Sequence, residues 1–90
     1  MNKVKIHKAI CENLNDTYKA KNADYGDSFS ELRQEFPEAI LIRLTDKLKR
    51  LKTLMKGAQQ QVADESIDDT LLDLANYAIM ELVERRVEKG

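Results

Sequence analysis

Apolar residues recur at helical intervals along most of the chain. Ile6, Ile10 and Leu14 stand at i, i+4 and i+8, with Ala9, Cys11 and Tyr18 beside them, which predicts a first helix from Lys3 to about Ala20. The rhythm stops at KNADYGDS, Lys21 to Ser28, where Asn22, Asp24, Gly26 and Asp27 are turn formers and Gly26 suits a positive φ. Ser28-x-x-Glu31 matches a capping box and predicts a short helix through about Glu35. Pro37 suits the first turn of a third helix, which should run to Lys56 and stop at Gly57, a natural residue just past a helix end. Its apolar face is Ile40, Leu44, Leu48, Leu51 and Met55. GAQQQVAD then connects to a last helix over about Glu65 to Glu88, with Ile67, Leu71, Leu74, Ala78 and Leu82 as its apolar stripe. The pattern predicts one all-α domain over residues 1–90, with three main helices and one short helix.

The last helix carries a second stripe. Asp69, Asp73 and Asn76 lie nearly opposite the leucines, with Glu65 in line one turn earlier. Leu72, Ile79, Met80 and Val83 flank that stripe, and a helix apolar on nearly all sides is normally buried on nearly all sides. Carboxylates held there need a cation, because a buried unpaired charge is costly. The third helix offers Arg43, Asp46, Lys47 and Arg50 on one face. Packing the two helices side by side would bring Asp46 toward Asp69 and Asp73 and form an oxygen cage suited to Mg²⁺, with basic side chains at the rim for phosphate. The same residues also fit a plainer reading. Ser66-x-x-Asp69 is itself a capping-box pattern, and Asp46–Arg50 is the spacing of a surface ion pair.

Composition narrows the classes. The chain has 90 residues, a formal net charge of −1, 42% hydrophobic and 34% charged residues, which fits a folded soluble chain and not a disordered or generically nucleic-acid-binding one. Lys47, Lys49, Arg50, Lys52 and Lys56 fan around their helix with no interleaved aromatics, so nucleic acid is not an expected partner. No apolar run is long enough to span a bilayer, and MNKVKIHKAICENL lacks the continuous apolar core of a signal peptide. Cys11 is the single cysteine, so no internal disulfide forms and the cytoplasm is the expected address. His7 and Cys11 are four apart but lack further ligands for a metal. So short a chain has a thin core, which favours a homodimer or higher oligomer.

KNADYGDSF, IRLTDKLKRLKTL and DESIDDTLLDLANYAIM together resemble, in order and spacing, the nucleotide modification associated domain 1 group of small phage and bacterial proteins. The resemblance covers roughly Lys21 to Met80 and implies a role in phage or prophage nucleotide metabolism. More distantly the layout is similar to the all-α NTP pyrophosphohydrolases of the MazG and dimeric dUTPase type. That likeness implies a helical bundle completed by oligomerisation, with acids on two helices holding Mg²⁺ or Mn²⁺ and an NTP or dNTP cleaved to monophosphate and pyrophosphate. Their Glu-x-x-Asp motif is approximated by Asp69-Thr-Leu-Leu-Asp73 and Asp73-Leu-Ala-Asn76. Their Glu-Glu-x-x-Glu motif is absent, since Glu31-x-x-x-Glu35 lies too early.

The expected site follows from these readings. Asp46, Asp69 and Asp73 are the candidate metal ligands, and Asp73, Asp69 and Glu65 the candidate catalytic carboxylates. Lys21, Asn22, Tyr25, Asp27, Arg43, Lys47, Arg50 and Asn76 are the candidate nucleotide contacts, with Tyr25 stacking on a base and Lys21 meeting a phosphate. The competing reading is a small helical interaction protein without catalysis, which inhibits a host defence protein or sequesters nucleotides.

Overall fold

In the computed structural model the described residues are 2–25, 27–57 and 63–90, apart from the side chains of Tyr25 and of residues 63–66. The expected positive φ at Gly26 and residues 58–62 of the connection before the last helix lie outside them. Four helices and no strand occur among the described residues: α1 (Lys3–Tyr25), α2 (Ser28–Glu35), α3 (Ala39–Lys56) and α4 (Ala63–Lys89). The all-α class, with three long helices and one short, is as the pattern predicts.

Helix ends differ from expectation for local reasons. α1 opens on Asn2, whose Oδ1 accepts the Lys5 N–H at 3.2 Å. It then continues through Asn22 and Asp24, where a turn was expected. Residues 21–25 include neither Gly nor Pro, and Asn or Asp costs a helix less than about 0.7 kcal/mol per residue. α2 does not use the capping box, because Ser28 is already helical and Asp27 takes the N-cap position without a side-chain bond. The helix ends at Glu35 because Phe36 precedes proline and is driven out of the α region, to φ −129° and ψ 88°. Pro37 stands ahead of α3 and not in its first turn; the reversal there is closed by the Ala39 N–H donating to the Phe36 carbonyl at 2.9 Å. Gly57 caps α3 with its N–H on the Thr53 carbonyl at 3.0 Å, yet its φ of −84° is ordinary, so low helix propensity and not a left-handed turn stops the helix.

α3 and α4 pack along one another as an antiparallel pair. Lys47 Nζ lies 3.0 Å from Asp73 Oδ2, and the Arg43 guanidinium stands 5.9 Å from the centre of the Tyr77 ring. One turn forward on α3 is thus one turn back on α4. α2 is fastened to the far part of α4 by polar contacts. Arg33 donates to both carboxylate oxygens of Glu81, at 2.9 and 3.0 Å, and also to Glu88, while Ser30 Oγ donates to Glu84 Oε1 at 2.6 Å. α1 meets α4 where Asn76 Nδ2 donates to the Leu14 carbonyl at 3.4 Å.

Among the described residues the buried ones are Leu14, Ala39, Leu54 and Thr70. This core differs from the one that periodicity marks. On α3 the inward positions run Ile40, Leu44, Lys47, Leu51 and Leu54, while Leu48 and Met55 are exposed. On α4 the expected core residues Leu71, Ala78 and Leu82 are exposed, and Ile79 and Val83 are exposed as well. The expectation that α4 is buried on nearly all sides therefore fails within one chain. An all-round apolar helix has no preferred face of its own, and the side α4 turns inward is the one that carries Asp73, Glu81 and Glu84 with their partners Lys47, Arg33 and Ser30.

A cleft lined by aromatic rings and two cations

The helices enclose a cavity of about 360 Å³ beside the α3–α4 seam. α1 supplies Tyr18, Lys21 and Asn22; α2 supplies Ser28, Phe29 and Leu32; α3 supplies Arg43; and α4 supplies Asp73, Asn76, Tyr77 and Met80. The local folding explains each contribution. The extra turn of α1 carries Lys21 and Asn22 to the rim, and the antiparallel register of α3 on α4 sets Arg43 over Tyr77. Phe29 reaches the same ring from α2, with centroids 6.3 Å apart and planes at 47°. The wall is thus an aromatic pair, its rings tilted to one another, with one guanidinium within cation–π reach of Tyr77.

Charge within the cleft is uneven. Among the described residues Asp73 is the only acid in the lining, and Lys47 already pairs with it, so Lys21 and Arg43 leave that lining net positive. Asn76 and Asn22 add amides with both donor and acceptor capacity. Just outside, the hydrogen bonds from Arg33 hold the Glu81 carboxyl below its usual range, and the same bonds push the Arg33 guanidinium higher still. That pair anchors α2, and with it Phe29, against α4.

The expected site residues divide. Lys21, Asn22, Arg43, Asp73 and Asn76 line the cleft together, and Lys47 joins through Asp73. Asp27 is exposed at the start of α2, and Arg50 is exposed on α3; neither lines the cavity. The side chains of Tyr25 and Glu65 lie outside the description. Asp46 and Asp69 are exposed and absent from the lining, so the three aspartates are not gathered as expected. Among the described residues no group of three or more His, Cys, Asp or Glu side chains is placed to hold a metal ion. The reason is register: Lys47, the next residue along α3, takes the place opposite Asp73 that the cage required of Asp46. His7 and Cys11, 3.8 Å apart, form no such group either.

Several lining residues escaped the sequence reading, above all Tyr18, Phe29 and Tyr77. These are three of the chain's five aromatic residues, three Tyr and two Phe, and their scarcity was the available signal. The α2 anchor was equally legible afterwards: Glu81, Glu84 and Glu88 stand at i, i+3 and i+7, one acidic face awaiting a partner.

Fold and cleft define a small all-α protein with a mixed aromatic and cationic pocket between its helices. Residues 21–84 match the family described as nucleotide modification associated domain 1, which covers more than half of the chain, and the chain belongs to that family. The match spans every lining residue except Tyr18. No curated protein and no solved structure matches the chain significantly. No helix among the described residues is long and apolar enough to cross a membrane.

Proposed function

We propose that the cleft binds a nucleotide, with the base against Phe29 and Tyr77 and the phosphates toward Arg43 and Lys21. The observation that carries this reading is the joining of an aromatic platform and two cations in one cavity of about 360 Å³, a size within the ordinary range for small-molecule sites. The family description supports the same class of ligand. Asn76 and Asn22 provide amides for base or sugar edges.

Mg²⁺ has a limited place in this reading. Among the described residues the cleft holds a single, already paired carboxylate, which does not make a resident metal site, so no step is assigned to a bound ion. A divalent ion would enter on the phosphates themselves, since Mg²⁺ is commonly held by few carboxylates plus substrate oxygens. The same fact favours binding over the pyrophosphohydrolase chemistry that the more distant resemblance implies.

The test is titration calorimetry with each NTP, dNTP and monophosphate, with and without Mg²⁺, followed by chromatography of the products. Wild-type protein should bind at least one nucleotide. Arg43→Ala should weaken that binding by about 1.5–3 kcal/mol, roughly 13-fold to 160-fold, the usual worth of a charge-assisted hydrogen bond. Tyr77→Ala should cost about 1–3 kcal/mol through lost stacking, and Tyr77→Phe should retain most of the affinity. Absence of binding by every nucleotide at millimolar concentration would overturn the proposal. Metal-dependent monophosphate production lost in Asp73→Ala would instead restore the hydrolase reading.

A further inference from the structure

Part of the helix faces that the hydrophobic pattern marks as core, Leu48 and Met55 on α3 and Leu71, Ala78 and Leu82 on α4, is left open by a single chain. On α3, Leu41, Leu48 and Met55 recur every seven residues and are 64%, 46% and 64% exposed. On α4, Leu71 and Leu82 are 44% and 52% exposed, with Ala78 exposed between them. Arg43 and Asp73 mark the cleft side of the α3–α4 pair. Stepping round each helix from those two residues, Leu48 and Ala78 each lie about 140° away. Because the helices are antiparallel, both steps lead to the same side, across the pair from the cleft. The two stripes therefore form one continuous apolar flank.

Surface area says how much is missing. A monomer of 10.4 kDa is expected to expose about 5,400 Å². This chain exposes 7384 Å², an excess of about 2,000 Å². Its radius of gyration, 14.9 Å, likewise exceeds the roughly 12 Å of a compact 90-residue domain. An obligate homodimer commonly removes about 1,000–2,500 Å² from each partner, and the excess, to which the open face of α1 at Val4, Ile6 and Ile10 also contributes, reaches that range.

We propose that a second copy of this chain covers the Leu41–Leu48–Met55 and Leu71–Leu82 flank, so that α3 and α4 of both copies form a four-helix bundle. A seven-residue apolar repeat on a helix pair is the pattern that such bundles bury. One interface contacts itself through a two-fold axis, which closes the assembly at two copies. Each cleft then faces outward from the bundle and stays open to ligand.

Sedimentation equilibrium of the full chain without nucleotide tests the proposal, so its outcome is separate from whether any nucleotide binds. Wild-type protein should be a dimer at micromolar concentration. Leu48→Asp and Leu82→Asp, each placing a charge in the buried seam, should weaken association on the order of a hundredfold while circular dichroism shows the helices retained. Ile10→Asp, an exposed position on α1, is the control and should leave the dimer unchanged. Should an aspartate variant unfold, the wild type still decides. Peroxide oxidation of Met55, followed by peptide mass spectrometry, should slow as protein concentration rises through the dimer range. A wild-type monomer at high micromolar concentration overturns the proposal. So does an Ile10→Asp variant that dissociates while Leu48→Asp does not, or a Met55 oxidation rate independent of concentration.

Discussion

Asp73→Asn separates a charge-balancing aspartate from a metal-binding one. The Lys47–Asp73 contact is 3.0 Å long, but the Asp73 side chain is 44% exposed, so solvent screens the pair. Pairs of this kind contribute about 0–1 kcal/mol. At about 4–8 °C per kcal/mol for a domain of this size, the variant should melt no more than a few degrees lower. The effect on ligand is larger and opposite in sign to that of losing a contact. A cavity of about 360 Å³ is roughly 9 Å across if spherical, so a separation of about 7 Å between Asp73 and a phosphate held by Arg43 and Lys21 is a working value. Removing one negative charge at that distance is worth roughly 0.6–2.4 kcal/mol for effective dielectric constants of about 80 to 20. The exposure of Asp73 favours the lower part of that range, and the expected gain in affinity is about threefold to tenfold. Calorimetric titration of wild type and Asp73→Asn with one pyrimidine deoxynucleotide, dCTP, in EDTA measures it at low and high salt, and the gain should shrink at high salt. Weaker binding by the variant would refute the reasoning. A Mg²⁺-induced rise in melting temperature that wild type shows and Asp73→Asn lacks would refute it independently, because Asp73 would then be a metal ligand.

Two further outcomes are expected. Leu54→Ala removes one of the few buried aliphatic side chains and should destabilise the chain by about 2–5 kcal/mol, read by thermal circular dichroism; a shift of only a degree or two would mean that the site collapses without a cavity. Arg33 lowers the Glu81 carboxyl below its ordinary value, so this pair supports the fold above that ordinary value and the support fades as pH falls through the depressed one. Acid unfolding curves of wild type and Glu81→Gln should therefore converge at low pH and separate above it, and parallel curves would show that the pair has no linkage to folding.

Which parts of this protein its sequence determines can be stated residue by residue. The 3.6-residue recurrence of Ile, Leu and Ala, with Pro37 and Gly57 as punctuation, is enough for an all-α chain with three long helices and one short. Backbone hydrogen bonding within a helix is local, and so is its signal. Lys21, Asn22, Arg43, Asp73 and Asn76 were also legible as a polar set, because functional groups set among apolar neighbours stand out in a short chain. What periodicity could not supply was rotation and register. α4 is apolar on so many sides that no stripe dominates, and a step of one residue on α3 exchanges Asp46 for Lys47 opposite Asp73. Tertiary packing made that choice, and it turned an expected carboxylate cage into an ion pair beside a cationic cleft. The aromatic platform was beyond reach for the same reason. Tyr18, Phe29 and Tyr77 come from three helices, and the Asn76–Leu14 and Arg33–Glu81 contacts, which hold α1 and α2 to α4, bring them to one cleft. Contacts between distant segments are set by the free energy of the whole packed chain, which no single helix carries in its own pattern.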